Sequence, residues 1–449
     1  MKYTDYIATK SAVTERAGIH DAYISDALFP WQSELVSRAL SRGRFCLFTD
    51  TGTGKTIMQL EWAKHVAEKG RVLILAPLAV AEQTVAEGVK LNMVLKYLRE
   101  DDGSRIVVTN YEMLSHFNPD DFAGIVLDES SILKSFTGKI RTQIIDSFAA
   151  TPYRLACTAT PAPNDHMELG NHAEFLGEKS RTEMLAEYFV HDGSSTQAWR
   201  LKGHAEDIFW RWICSWAAFM GRPSDLGFSD DDYQLPPIRM HEQVIPVDHK
   251  AAQTGGTLFA MQARTLNEQR SVRRGTMTER VKLAAMLANG HDPAVIWCEL
   301  NAESAALRKA IPGAVEVVGS DSPEKKHAAL TGFSRGDIRV MITKPSIAGF
   351  GLNWQHCNRV IFVGASHSFE QTYQAIRRCW RFGQNRPVNV HIIRAETEDA
   401  VVSNYNRKER QFSEMRAKMV EHTRNAMEGA RWTEYNPNNE MRIPKWLHA

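Results

Sequence analysis

The chain has 449 residues, of which 43% are hydrophobic, so it is long enough for two or three domains with globular cores. Its formal net charge is +1, from 54 lysines and arginines against 53 aspartates and glutamates, and this balance excludes any argument for a nucleic-acid partner from overall charge. The six cysteines are scattered without a C-x-x-C pair, which favours buried free thiols over disulfides or a zinc site.

The N-terminal segment carries no apolar stretch of the kind found in signal peptides. Residues 1–30 mix charges through their length, and no apolar run in the sequence approaches the length of a membrane span. These features predict a cytoplasmic protein with no membrane partner.

A helix is predicted to begin at the segment FPWQ, residues 29–32. Pro30 suits the first turn of a helix. Because the amide of Gln32 both donates and accepts hydrogen bonds, this residue can recognise an adenine base beside a phosphate loop. An ordinary surface glutamine is the alternative interpretation.

A glycine-bearing turn follows the first predicted strand. The apolar run at 45–48, the segment TDTGTGKT at 49–56 and the helical pattern after it predict strand, turn and helix. Such a turn directs backbone N–H groups and a helix N-terminus at one point, which is an anion site. There Lys55 can reach the β- and γ-phosphates of a nucleotide, and the Thr56 hydroxyl can hold Mg²⁺. Thr49 stands where the strict pattern has glycine, but the core G-x-G-K-T is intact.

Further apolar runs alternate with helical patterns. Predicted strands cover residues 71–77, 105–109, 123–127 and 153–157. This alternation predicts a parallel sheet with helices on both faces, and in such sheets ligands bind at the carboxyl ends of the strands. The phosphate loop, the pair Asp128-Glu129 and the segment TAT at 158–160 each follow a predicted strand, so we expect them to meet at one edge of the sheet.

The two carboxylates Asp128 and Glu129 suit nucleotide hydrolysis. The reaction requires a carboxylate that holds Mg²⁺, directly or through water, and a group that orients and deprotonates the attacking water. We assign Asp128 to the metal and Glu129 to the water. A solvent-exposed acidic turn is the alternative.

Residues 178–245 interrupt the alternation of strands and helices. An aromatic-rich stretch at 208–219 has helical spacing. Its tryptophans could stack on bases, but large apolar groups at helical spacing more often belong to a core. The segment QLPP at 234–237 predicts an extended connector, and we place the main domain boundary near it.

A second α/β unit follows this boundary and has no phosphate loop of its own. Its predicted strands cover residues 294–298, 315–318, 338–343, 360–363 and 388–393. Arg378 and Arg381 lie three residues apart on a predicted helix, so they share a face. From there they could reach across a cleft to the γ-phosphate and stabilise charge in the transition state, as arginine fingers do. A salt-bridged helix is the alternative.

A long helical pattern covers residues 398–427 and is locally basic. A solvated helix face is the preferred interpretation, with a surface that tracks phosphates as the alternative.

Seven segments in a fixed order resemble the motifs of superfamily 2 helicases. They are FPWQ at 29–32, TDTGTGKT at 49–56, VTNYEML at 108–114, VLDESS at 126–131, TATPAPN at 158–164, AGFGLN at 348–353 and QAIRRCWRFGQ at 374–384. Within the superfamily the set looks most like the Swi/Snf-type DNA translocases, whose last motif similarly ends in arginine-x-glycine-glutamine. The compact length also resembles the small helicases of phages and prophages, which would place the protein in a bacterial or phage-infected cytoplasm.

The resemblance implies an α/β fold of two tandem RecA-like lobes, each a parallel sheet flanked by helices, with a helical segment between them. The predicted divisions are 1–177 for the N-terminal lobe, 178–245 for the helical and aromatic segment, 246–405 for the C-terminal lobe and 406–449 for a C-terminal helix and tail. ATP and Mg²⁺ would bind between the lobes.

The resemblance also implies roles for individual residues. Catalysis would depend on Lys55, Glu129, Arg378 and Arg381, and Mg²⁺ would be held by Thr56 and Asp128. Nucleotide contacts would come from Gln32, Gly52, Thr53, Gly54, Lys55, Thr56 and Gly351. Thr158, Thr160 and Gln374 would couple hydrolysis to movement of the lobes.

Three positions depart from the family pattern. The acidic motif is DESS at 128–131 where relatives often have Asp-Glu-Ala-His, Arg377 stands where glycine is usual, and Trp380 replaces a commoner histidine. The first departure weakens any inference about coupling through that histidine.

Together these features predict an ATP-driven helicase or translocase on single-stranded or duplex DNA, with a protein partner that loads it as a further expectation. Two alternatives stay open. One is an ATP-gated DNA clamp that recruits a nuclease or replication partner. The other is an RNA helicase, because superfamily 2 motifs do not by themselves separate RNA from DNA.

Overall fold

The computed structural model describes residues 17–134, 138–191, 199–246, 274–348 and 352–428. Within these ranges two parallel β-sheets, one in each half of the chain, are flanked by helices. They form two tandem RecA-like lobes, as predicted. We call the half that carries the first sheet the first lobe and the half that carries the second sheet the second lobe.

Nine strands are described in the N-terminal half. They are β1 (Arg44–Thr49), β2 (Arg71–Ala76), β3 (Lys96–Tyr97), β4 (Ile106–Asn110), β5 (Phe122–Asp128), β6 (Tyr153–Cys157), β7 (Phe189–His191), β8 (Trp199–Leu201) and β9 (Ala217–Met220). Seven of them form the first sheet in the order β3-β4-β2-β5-β6-β1-β9, with every pair parallel. Strands β7 and β8 pair as a separate antiparallel hairpin.

Helices connect these strands across both faces of the first sheet. They are α1 (Pro30–Arg42), α2 (Lys55–Val66), α3 (Leu78–Lys90), α4 (Lys139–Ser147), α5 (Leu169–Leu176), α6 (Arg181–Tyr188) and α7 (Glu206–Trp216). Short 3₁₀ turns follow β4 and β5, at Tyr111–His116 and Ser130–Lys134.

Alternate side chains of the buried strands enter two separate cores. In β1, Cys46 and Phe48 belong to one hydrophobic cluster, whereas Phe45 and Leu47 belong to another. Because both faces are buried, every inner position of such a strand favours an apolar side chain. This explains why the sequence shows these strands as continuous apolar runs, and their predicted positions are confirmed.

The aromatic stretch at 208–219 is confirmed as core but is only partly helical. Trp210 and Trp216 of α7 are at most 1% exposed and pack in the first-lobe core. Phe219, which was expected in the helix, instead lies in β9 at the edge of the first sheet. The helix prediction was wrong there because the chain changes from helix to strand at Ala217 without an intervening turn residue.

The second sheet contains six parallel strands among the described residues. They are β10 (Ile238–Ile245), β11 (Ala294–Trp297), β12 (Val315–Glu316), β13 (Val340–Thr343), β14 (Arg359–Val363) and β15 (Val388–Ala395). Their order is β10-β15-β14-β11-β13-β12. The accompanying helices are α8 (Met277–Leu287), α9 (Asn301–Ala310), α10 (Pro323–Arg335), α11 (Pro345–Ala348), α12 (Phe369–Ile376) and α13 (Asp399–Glu428).

The segment between the lobes contributes to both sheets. Strand β9 extends the first sheet, and β10 forms one edge of the second by pairing with β15 over eight residues. Both strands fall within the predicted middle segment 178–245. The division of the chain at the four predicted boundaries stays a prediction.

The long helix α13 returns from the second lobe and packs on the first. Its residues Phe412, Met415 and Met419 are buried in the first-lobe core. The Thr423 hydroxyl accepts a hydrogen bond from the backbone N of Phe219 at 3.2 Å. The basic residues Arg407, Arg410 and Lys418 are exposed, which agrees with the preferred interpretation of a solvated helix face. The apolar face that packs on the first lobe was not predicted.

All six cysteines are buried and free, as the sequence predicted. Among the helices of the described ranges, none combines the length and the apolar character needed to cross a membrane.

Candidate functional site

The phosphate loop connects β1 to α2 at the carboxyl edge of the first sheet. Gly52 and Gly54 have φ values of +85° and +87°, a conformation that side chains other than glycine rarely adopt. A Cβ atom at Gly54 would also lie 2.2 Å from the Gln32 amide nitrogen. Gly54 precedes the first residue of α2, so the N-terminal amides of this helix point toward the loop.

Lys55 is buried inside this loop. Its Nζ donates hydrogen bonds to the backbone oxygens of Thr49 at 3.0 Å and Asp50 at 3.2 Å. Burial lowers the pKa of its ammonium group, although Glu129 and the other nearby carboxylates act in the opposite direction. Because neutral backbone oxygens balance the ammonium charge poorly, an anion at this position would stabilise it further.

Asp128 and Glu129 follow β5 and lie beside the loop. Asp128 Oδ1 accepts hydrogen bonds from Gln59 Nε2 at 2.7 Å and from the backbone N of Glu129 at 3.1 Å. The Glu129 Oε2 atom is buried with no hydrogen-bond partner among the described residues. Burial raises the pKa of both carboxyl groups, with Lys55 opposing the shift in each. The buried, unpaired oxygen of Glu129 is placed to accept a hydrogen bond from a water molecule in the site.

The second lobe contributes two arginines just after α12. Arg378 and Arg381 each donate to the backbone oxygen of Leu352, at 3.1 and 3.2 Å, and Arg378 also donates to Gln374 Oε1 at 3.1 Å. Burial and the nearby Arg381 lower the pKa of Arg378 to about 9. Burial and the nearby Arg377 lower the pKa of Arg381 to about 10. The guanidinium groups of the buried Arg378 and the partly buried Arg381 together form a site for an anion with several negative oxygens.

Residues from both lobes line one cavity of about 80 Å³, which has room for a few water molecules. Its lining includes Gly52, Gly54, Lys55, Thr56, Asp128, Glu129, Arg378 and Arg381. The structure thus brings eight of the predicted site residues together. A nucleotide would need more room, so the lobes or the Lys55 side chain must move to admit one.

Gln32 lies against the loop and outside the lining of this cavity. It is 5% exposed, and its amide accepts from the backbone N of Phe29 and donates to the backbone oxygen of Thr53, both at 2.9 Å. These contacts fix the start of α1 and the conformation of the loop. One amide hydrogen and one acceptor position are left for a base, so the adenine role of Gln32 stays a prediction.

One of the two threonines after β6, Thr160, contacts the second lobe. The Thr160 hydroxyl donates to Glu370 Oε1 at 3.4 Å, and Glu370 also forms a salt bridge with Lys134. The Thr158 hydroxyl accepts from the backbone N of Thr160 at 3.2 Å. A movement of α12, which carries Glu370, would therefore change the hydrogen bond to Thr160. Gly351 lies outside the described residues.

Sequence reasoning missed several residues that complete the site. Asp50 of the phosphate loop pairs with Arg377, and Tyr373 donates to the same carboxylate at 2.6 Å. The Ser130 hydroxyl is hydrogen-bonded to His172 Nε2 at 3.1 Å, so a histidine from α5 reaches the acidic motif that lacks one of its own. No local sequence pattern pairs these residues, because each contact joins distant parts of the chain.

The donor set fits Mg²⁺ that arrives together with a nucleotide. In the ranges that the structure describes, no three histidine, cysteine, aspartate or glutamate side chains are grouped to hold a metal ion. Mg²⁺ in phosphate-transfer sites usually takes one or two protein ligands and completes its shell with phosphate oxygens and water. The Thr56 hydroxyl and the Asp128 carboxylate, which line the same cavity, meet that requirement.

Solved structures and curated proteins offer three comparisons. A SWI2/SNF2 ATPase core from Sulfolobus solfataricus, solved with dsDNA, aligns with 90% of this chain and 98% of that chain at 17% identity and a TM-score of 0.41. The mouse (Mus musculus) DNA annealing helicase and endonuclease ZRANB3 is 24% identical over 413 residues, which are 82% of this chain and 38% of the relative. The bifunctional helicase and thymine dioxygenase JBP2 of Leishmania braziliensis is 31% identical over 87 residues, which are 19% of this chain and 8% of the relative. The chain therefore spans less than two fifths of the length of either curated relative.

Two family models match the two lobes separately. The model described as type III restriction enzyme, res subunit, matches residues 25–163, which include the phosphate loop and the acidic pair. The model described as helicase conserved C-terminal domain matches residues 280–383, which include Arg378 and Arg381. The cavity residues of the first lobe and the two arginines of the second lobe thus lie in segments that match two different family models.

Proposed function

We propose that this chain, which belongs to the superfamily 2 helicases of the Swi/Snf type, hydrolyses ATP between its two lobes and uses the reaction to move along DNA. One observation carries the proposal. A phosphate-loop lysine and a carboxylate pair from the first lobe line the same cavity as two arginines from the second. A site divided in this way can couple each cycle of hydrolysis to the separation and closure of the lobes.

The chain's own residues supply the parts that phosphoryl transfer needs. Lys55 leaves the backbone oxygens of its loop and binds the β- and γ-phosphates, while the amides at the start of α2 bind the remaining phosphate oxygens. Glu129 orients the attacking water and takes its proton. Arg378 and Arg381 stabilise the negative charge that develops on the transferred group. Mg²⁺, held by Thr56 and Asp128, would neutralise phosphate charge.

Coupling runs through the contact between the lobes. Glu370 and Gln374 lie on α12, the helix that leads into the two arginines. Glu370 accepts from Thr160, and Gln374 accepts from Arg378. Loss of the γ-phosphate removes a partner of the arginines and so weakens one of the contacts that join the α12 segment to the first lobe. This sequence of contacts makes Thr158, Thr160 and Gln374 the coupling residues of the proposal.

DNA is the proposed track for two reasons. The last motif ends in Phe382-Gly383-Gln384, as in the Swi/Snf-type DNA translocases. The name of the mouse relative that aligns with 82% of this chain also describes a DNA annealing helicase. A protein partner that loads the motor, and a location in a bacterial or phage-infected cytoplasm, stay predictions.

The ATPase rate of the whole chain with single-stranded DNA, duplex DNA and RNA at matched salt tests the proposal, because salt concentration dominates such binding. We expect DNA to stimulate turnover and Lys55→Ala to abolish it in every condition. Stimulation by RNA alone would replace DNA as the track. DNA-stimulated turnover without displacement of either a duplex strand or a triplex strand would favour the clamp over the motor.

A further inference from the structure

We propose that Arg377 is a positioning residue that docks the second lobe on the phosphate loop through Asp50 and Thr51. This contact determines the positions of Arg378 and Arg381 relative to the nucleotide. This inference rests on the proposed ATPase activity. It gives a role to Arg377, which occupies a position where the family pattern has glycine.

The Asp50 carboxylate is the centre of the contact. It is 4% exposed and forms a salt bridge with Arg377. Its Oδ1 accepts from the Tyr373 hydroxyl at 2.6 Å and from the backbone N of Thr51 at 2.7 Å. Arg416 of α13 lies 3.9 Å from Oδ2. A loop of the first lobe is thus held by side chains from α12 and the residue after it, which lie between β14 and β15, and from α13, which follows β15.

Arg377 is held with equal specificity. It is 2% exposed, and its Nε donates to the Thr51 hydroxyl at 2.7 Å while Nη2 donates to the Thr51 backbone oxygen at 3.2 Å. Its guanidinium carbon lies 4.6 Å from the centre of the Trp380 ring. The edge of the planar guanidinium group therefore forms hydrogen bonds with Thr51, and its face packs on the Trp380 ring. Lysine cannot reproduce this combination.

The contact adjoins the cavity, because Thr51 lines the cavity whereas Arg377 and Asp50 do not. Arg378 and Arg381 line the cavity directly. A Cβ atom on Gly52 would lie 3.1 Å from Arg381 Cβ and from the backbone N of Phe382, so the two lobes approach closely at this point. Because Arg377 directly precedes Arg378, anchoring its side chain on the loop restricts where the two following arginines can lie.

The charge of the Asp50 carboxylate strengthens its contact with Arg377. Burial alone would raise the pKa of Asp50, but Arg377, Arg416 and the Tyr373 hydroxyl overcome that effect and hold its pKa below the usual value. The carboxylate is therefore ionised at neutral pH. An ionised buried pair is strongly favoured only while both partners are present, so loss of either one should release the loop.

A double-mutant cycle tests the inference with Arg377→Gln, Asp50→Asn and the combined variant in the whole chain. We expect each single variant to lower kcat for DNA-stimulated ATP hydrolysis by at least tenfold and to change KM for ATP by less than about threefold. The combined variant should be no worse than either single one, since all three lack the same contact. Arg386→Gln, an exposed arginine of the second lobe that pairs with Asp292, is the matched control and should keep the wild-type rate.

Hydrogen exchange supplies a readout that does not require turnover. Without nucleotide, amides 50–54 should exchange faster in Arg377→Gln than in the wild type, and Arg377→Lys should fall between them. Independent losses that multiply in the combined variant, or unchanged exchange in Arg377→Gln, would overturn the inference. If the wild type has no ATPase activity, the proposed function fails, while the exchange measurement still decides the docking contact. Should Arg377→Gln not fold, Asp50→Asn and Arg377→Lys provide the same comparison.

Discussion

Glu129 combines three unfavourable features at a single residue. Its φ of +53° lies in the left-handed region, which costs a residue other than glycine about 1 kcal/mol. Burial raises the pKa of its carboxyl group, and Asp128 adds a repelling charge beside it. Its Oε2 has no hydrogen-bond partner among the described residues. Such features persist at sites where function requires them, which agrees with the proposed role in activating water.

The substitution Glu129→Gln should therefore make the protein more stable and inactive at once. Replacing a buried carboxylate, whose Oε2 has no hydrogen bond among the described residues, with a neutral amide of the same shape should raise the free energy of unfolding by about 1 kcal/mol, because the loss of hydration outweighs the attraction of Lys55 and Arg378. Thermal unfolding without nucleotide measures the change. The exposed Glu68→Gln is the control and should have no effect.

A lower unfolding temperature for Glu129→Gln would mean that the carboxylate contributes to stability through a contact that the structure does not show. ATP turnover in this variant close to the wild-type rate would remove Glu129 from the proposed mechanism.

The individual site residues differ in how far sequence could predict them. That Lys55, Thr56, Asp128 and Glu129 line one cavity was predictable, because phosphates and Mg²⁺ require fixed residue types at the ends of neighbouring strands. The pairing of Asp50 with Arg377 was not, because nothing local in either segment indicates a partner in the other lobe. Arg377 appeared in the sequence only as a departure from the family pattern.

Among the elements, burial on both faces decided which strands could be predicted. Strands inside a sheet, such as β2 and β14, are continuous apolar runs and were found in the sequence. Strand β10 lies at an edge, and its segment IRMHEQVI mixes polar and apolar residues because it is only partly buried. It was therefore assigned to the connector. Strand β9 continues directly from an aromatic helix and offers no change of composition to mark it.

Helix α13 is also only partly buried, and its packing was therefore difficult to predict from sequence. Its many charges suggested a solvated helix, but Phe412, Met415 and Met419 recur at spacings of three and four and join the first-lobe core. The helix begins after the last strand of the second sheet and ends on the first lobe, so it ties the two lobes together.

We therefore predict that Met419→Ala destabilises the first lobe. Met419 is fully buried, and truncating such a side chain costs about 2–5 kcal/mol because a cavity remains. Denaturant unfolding followed by tryptophan fluorescence measures the loss, since Trp210 and Trp216 report on the same core. The neighbouring Lys418→Ala, at an exposed position, is the control. Equal stability of the two variants would contradict the packing of α13 on the first lobe.

At the scale of the whole molecule, polar contacts and one aromatic stack join the lobes around one cavity. Asp50 pairs with Arg377, Thr160 bonds Glu370, and Phe382 of the second lobe stacks on Tyr233 with ring centres 5.7 Å apart. Polar contacts can be exchanged for contacts with phosphate at little net cost, whereas a large apolar interface would resist opening. The interface is therefore suited to repeated closing and opening.

In the proposed mechanism, each lobe alone supplies only half of the residues that hydrolyse ATP. The first lobe has the phosphate loop and the carboxylates, and the second has the two arginines. Sequence indicated this division through the order of motifs along the chain. It could not indicate how closely the lobes approach, because that distance depends on contacts between the surfaces of the two lobes.

Turnover by Arg381→Ala with saturating duplex DNA tests the divided site most directly. We predict that this variant binds a non-hydrolysable ATP analogue within about threefold of the wild-type affinity and loses at least about 100-fold in kcat, because arginine fingers act mainly on the transition state. Arg386→Ala, on the same lobe and away from the cavity, should behave as the wild type. A kcat for Arg381→Ala equal to that of the wild type would show that Arg381 takes no part in hydrolysis and would contradict the account.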